Sequence, residues 1–307
     1  MGRVMSACTL CTGGPVELVV SLPRRMEPWT WIACVAAAGA AGWVDAIAGG
    51  GGLLTVPALL AAGVPPHEAL GTNKLQAVAG SGIAAVRYAR AGLVKPGSCL
   101  PGMLLAGTAA AGGALAVQAV EPVLLRKLIP LLLLLVTLWT ALRPRFGLHP
   151  RPQRRVPSGF EPLAAVVLGF YDGFFGPGTG TFWAAALVTG AGLDLAGATA
   201  RTKFMNFASN AGALAVFAAG GALHVPLGLS MGLAQACGAR LGASMAARGG
   251  PRFIRPVFLA VVVALIVRLI AEAWQSGPAS HTHADVPDGI RAAPRLTTED
   301  PPPWVGS

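Results

Sequence analysis

Three stretches of this chain carry no Asp, Glu, Lys or Arg: Pro96 to Val120, Leu128 to Leu142 and Phe204 to Ala239, the last with a single histidine, His224. The first and third exceed the roughly 18 residues that let an uncharged apolar run cross a bilayer as a helix. Nothing else in the sequence restricts the fold as strongly. In hydrocarbon every backbone N–H and C=O needs a partner within the protein, and a helix supplies it. Composition agrees: 54% of the 307 residues are hydrophobic and 12% charged, with a mean hydropathy of +0.62. A soluble chain carries about 25% charged residues.

The net charge of +10 is explained without nucleic acid. Most arginines fall in short segments between apolar runs, where they set membrane orientation. Arg24, Arg25, Arg87, Arg90, Lys95 and the linker arginines group on one side, and Arg126, Lys127, Arg248, Arg252 and Arg255 on the other. Of the five cysteines, only Cys8 and Cys11 have CxxC spacing, and no second pair or histidine accompanies them. They are read as incidental, as is the His281–His283 pair in the tail. No metal site is expected.

Apolar segments fall at about 29–48, 53–63, 72–89, 97–119 and 124–142, then at 160–175, 180–193, 203–220, 225–247 and 254–273. The organisation is a polar N-terminal extension (1–28), a first transmembrane repeat (29–142), a basic proline-rich linker (143–158), a second repeat (159–274) and a disordered tail (275–307). Met26 is a candidate start, with Trp29 and Trp31 as interfacial anchors. The halves match by position: Asp45 falls on Asp172, Gly49 on Gly176, Gly51 on Gly178 and Gly63 on Gly190. With a two-residue insertion Lys74 falls on Lys203; further on, Pro96 falls on Pro226 and Gly102 on Gly232. Internal duplication is common among transporters. The expected fold is all-α: a polytopic membrane protein of about eight transmembrane helices in two repeated halves with glycine-broken helices.

The chemistry concentrates in the breaks. Gly49, Gly50, Gly51 and Gly52 cannot be good helix interior, and Gly176-Pro177-Gly178-Thr179-Gly180 is worse because proline removes a donor. Close helix packing explains scattered glycines such as Gly112 and Gly113, but not four in a row. A helix restarting after such a break presents free N–H groups and the positive end of its dipole, which suits an anion. Neither break has the ending of a phosphate loop. Lys74 and Lys203 recur beside Thr72, Asn73 and Thr202, and Asn206 and Asn210 share a helix face. These residues, the break glycines and Thr179 are the candidate substrate-binding set. Asp45 and Asp172 are costly at membrane depth and need partners. Three roles compete for them: pairing with the lysines, capping the broken backbone, or carrying a coupling proton. No catalytic residue and no cofactor is expected.

The block "GWVDAIAGGGGLLTVPALLAAGVPPHEALGTNK", with its degenerate second copy "GFYDGFFGPGTGTFW…RTKFMNFASN", resembles the TauE/SafE family, the sulfite exporter and toluenesulfonate uptake permeases. The resemblance covers about residues 29 to 273 and implies an inner-membrane, multi-pass bacterial permease for sulfite, organosulfonates or related sulfur-containing and carboxylate anions. The partners implied are a small anionic substrate and the lipid bilayer, with a homodimer as an option. Two rivals are a cation or metal-ion transporter using Asp45 and Asp172, and an intramembrane aspartyl enzyme using them as a catalytic pair.

Overall fold

The computed structural model describes residues 26–141 and 159–275. Cys8, Cys11, His281, His283, the basic linker and most of both polar ends lie outside the described residues. The chain divides into two compact units, Met1–Val267 and Arg268–Ser307. Of the second, only the stretch up to Gln275 is described, and it is helical.

The described residues form nine helices and no strand: α1 (Pro28–Ala48), α2 (Gly52–Ala61), α3 (Pro66–Arg90), α4 (Pro96–Gln118), α5 (Pro122–Ala141), α6 (Phe160–Phe174), α7 (Thr179–Thr189), α8 (Leu195–Ala219) and α9 (Val225–Gln275). Prolines sit in the first turn of α1, α3 and α4, where their missing N–H would have no helical acceptor. Three helices differ from the sequence expectation. α3 and α8 begin well before their apolar patterns, at Pro66 and Leu195, and each is 25 residues long. Lys74 and Lys203 therefore stand two turns inside a helix rather than at its start. The expected segments 225–247 and 254–273 form one helix, α9, running through Gly249 to Pro251. A residue ahead of a proline is pushed out of the helical region partly by its own Cβ, and Gly250 has none.

Among the described residues two helices, Pro28–Ala48 and Pro96–Gln118, are long and apolar enough to cross a bilayer. α2 and α7, at 10 and 11 residues, reach about 15 Å each, half of a hydrocarbon core. The outer faces of α4, α5, α6 and α9 display large apolar side chains, among them Leu104, Leu115, Val123, Leu163, Leu233 and Leu241, all more than half exposed. Lipid tails solvate such a surface and water does not.

α4 packs against α6 and α8, and α3 against α8. The α4–α6 seam is built from small residues. A Cβ on Gly173 would collide with the Ala110 carbonyl, one on Gly113 with the Phe170 carbonyl, and one on Gly169 would lie 2.5 Å from the Ala106 carbonyl oxygen. Without a hydrophobic drive between helices in lipid, such close backbone approach supplies the packing energy. Gly112, by contrast, has open space where its Cβ would be. Gly113→Leu should therefore lower the melting temperature in detergent by several degrees or abolish folded yield, while Gly112→Leu should leave it within about a degree or two.

Candidate functional site

α1 ends at Ala48, and Gly49 (φ 80°, ψ 169°) and Gly50 (φ 93°) turn the chain before α2 starts at Gly52. α6 ends at Phe174, and Gly176 (φ 97°) and Gly178 (φ 83°) turn it before α7 starts at Thr179. All four conformations lie where a Cβ is penalised. The two breaks also touch. A Cβ on Gly49 would sit 2.6 Å from the Gly180 carbonyl carbon and the Thr181 nitrogen, and one on Gly52 3.1 Å from Pro177 Cα. The glycines thus serve two ends at once, turning each helix and letting two backbones meet.

The lysines reach across this junction. Lys203 Nζ, on α8, lies 3.0 Å from Asp45 Oδ2 and also donates to the Asp45 backbone carbonyl at the end of α1. Lys74 Nζ, on α3, lies 2.7 Å from Asp172 Oδ1 and donates to the Asp172 carbonyl near the end of α6. Each ammonium neutralises a carboxylate and also sits at the negative end of a broken helix. Each acid in turn holds the restart of the next helix. Asp45 Oδ1 accepts from the Gly51 N–H at 3.1 Å. Asp172 Oδ1 accepts from the Thr179 hydroxyl at 3.3 Å, and Oδ2 from the Ser209 hydroxyl. The two pairs are unequal: the Asp172 side chain is 3% exposed and that of Asp45 16%.

Between the breaks lies a polar cavity of about 30 Å³, roughly the room of two waters. Of the expected binding residues, Gly50, Gly51, Gly52, Asn73, Gly176, Gly178, Thr179, Gly180, Asn206 and Asn210 line it, with both carboxylates. Gly49, Thr72, Lys74, Thr202 and Lys203 are not among its lining. Gly49 is in the backbone junction, and the lysines are held by the acids. The Thr72 hydroxyl accepts from the His224 N–H at 2.9 Å, and the Thr202 hydroxyl donates to the Ala198 carbonyl at 2.8 Å. Asn73 commits its carbonyl oxygen to the Thr55 hydroxyl at 2.6 Å and to Gln76 Nε2 at 3.0 Å. Its NH2 remains the group for other partners.

Ser81, Ser209 and Gln235 were not anticipated. Ser81 and Gln235 line the cavity and Ser209 binds Asp172. Ser81 falls on Asn210 under the same offset that pairs the lysines, so the repeat carried a signal for it. Gln235 falls on Leu105 under the offset of the later matches and had no such signal.

The sequence profile described as sulfite exporter TauE/SafE matches residues 34–269. The chain belongs to this family. It is 44% identical over 232 residues to a Sinorhizobium protein named probable membrane transporter protein ORF9, covering 76% of this chain and 89% of that one. It is 40% identical over 230 residues to the probable membrane transporter protein YfcA of Escherichia coli K12, covering 75% and 86%. A probable membrane transporter protein of Haemophilus influenzae matches at 39% over 230 residues, covering 75% and 90%. No solved structure matches. As a member of the TauE/SafE family, the chain is a membrane transporter.

Proposed function

We propose that the protein is a secondary transporter of small anions, sulfite, organosulfonates or related carboxylates. In this reading it is a multi-pass protein of the bacterial inner membrane, the broken pairs α1–α2 and α6–α7 each making one crossing. One observation carries the proposal: the N-termini of α2 and α7 converge on a single cavity whose two carboxylates are each already ion-paired. The formal charges of the two pairs cancel, which leaves the two helix dipoles and the Asn73 NH2 to favour negative charge. A cavity with room for about two waters is smaller than a sulfonate head group, so binding requires its walls to part, as alternating access would do. With no nucleotide motif in the sequence, the energy for flux comes from an ion gradient or from the substrate's own gradient.

Reconstitution in proteoliposomes tests this directly. Labelled sulfite, sulfoacetate or taurine should cross faster than in protein-free vesicles. Flux of divalent metals without any of these anions would overturn the reading in favour of a cation carrier. An imposed pH gradient should change the anion rate if Asp45 or Asp172 carries a coupling proton; an unchanged rate removes that role.

A further inference from the structure

Two carboxamides stand at the cavity with an oxygen unused. Asn206 and Gln235 are 5% and 3% exposed, and Asn206 Oδ1 and Gln235 Oε1 accept no hydrogen bond from any described residue. A buried acceptor without a donor opposes folding, and folds retain very few of them. Here a neighbouring helix gives up a side chain to keep one in place. A Cβ on Gly80 of α3 would lie 2.7 Å from Gln235 Cγ and 2.8 Å from its Nε2. The positions that match them in the first half are Ala77 and Leu105. The carboxamides therefore line the cavity with no polar equivalent at the matching positions.

We propose that Asn206 and Gln235 read a hydrogen-bond donor on the transported anion. The substrate is then a small anion that bears its own hydroxyl or amine. Its charged end faces the N–H groups of the breaks, and its donor faces the two carbonyl oxygens. A bare anion of the same size fills the charged end and leaves both oxygens unpaired, which is the situation in which polar sites discriminate best. This inference rests on the anion-transport reading and adds a substrate class to it.

The full-length protein in detergent or nanodiscs is titrated with matched pairs, ethanesulfonate against 2-hydroxyethanesulfonate and acetate against glycolate, and thermal stabilisation is followed. The hydroxylated member should act at roughly tenfold lower concentration. Gln235→Leu should narrow that gap to about twofold, with the melting temperature of the unliganded variant unchanged or raised, because an unpaired acceptor has been removed. Equal response to both members of each pair overturns the inference and leaves the transport reading standing. So does a preference for the bare anion, which would mean that the NH2 groups face inward. A Gln235→Leu variant that melts lower yet keeps the preference assigns the residue to packing alone, and also overturns it. If no member of either pair binds, this inference fails, and sulfite flux in proteoliposomes decides whether the transport reading stands.

Discussion

Lys74→Ala is expected to destabilise the protein by about 3–5 kcal/mol, the usual penalty for removing one partner of a buried ion pair. Asp172 would keep its Thr179 and Ser209 hydroxyls, but neither cancels its charge, and its side chain is 3% exposed. Lys203→Ala should be milder by at least 1 kcal/mol, because Asp45 is five times more accessible at 16% and water can reach it. Melting in detergent measures both. Adding Asp172→Ala to Lys74→Ala should recover much of the loss, since the stranded charge goes with it. No recovery would mean that the lysine acts mainly through the Asp172 carbonyl. Anion flux in the Lys74→Ala, Lys203→Ala double variant should fall at least tenfold; unaffected flux would remove the ion pairs from the site.

Gly49→Ala should be the most damaging of the conservative substitutions. At φ 80°, ψ 169° the residue occupies a region essentially closed to any side chain, a strain of about 1–3 kcal/mol. The added Cβ must also push against the backbone of Gly180 and Thr181 at 2.6 Å, which adds about 1–3 kcal/mol of overpacking. Gly63→Ala is the control for a positive φ without a clash, because Gly63 has φ 82° at the end of α2 and nothing within 4 Å of a Cβ. The expected ranking is folded yield near wild type for Gly63→Ala, lowered by one modest conformational penalty, and little or none for Gly49→Ala. Equal yields would show that the breaks do not press on each other.

The breaks were legible in the sequence because glycine and proline report backbone conformation directly, wherever they occur in a fold. Asp45 and Asp172 were legible as acids needing partners, since charge at membrane depth demands one. Which partner each would find was not legible. The lysine that matches Lys74 is Lys203, yet each of them serves the acid of the opposite half. Local sequence carries no record of such crossing, because the contact exists only after the halves are packed. Gln235 was missed for a related reason: one glutamine in an apolar run carries no periodicity, and its match, Leu105, is apolar. The continuity of α9 was missed because Arg248, Arg252 and Arg255 read as a segment between two apolar runs, although the lack of a Cβ at Gly250 lets a helix pass. The number of crossings stays a matter of how half-length helices are paired, which apolar length alone does not decide.

The crossed lysines also set an order of events at the ribosome. Asp45 and Lys203 are 158 residues apart, so at about 5–20 residues per second the acid waits roughly 8–30 s for its cation to be made. During that interval the nascent first half holds an acid and a lysine, Asp45 and Lys74, whose final partners do not yet exist. Neither ion pair can close until residues of the second half have been synthesised, so the two broken helices of the first and second halves acquire their counter-charges together.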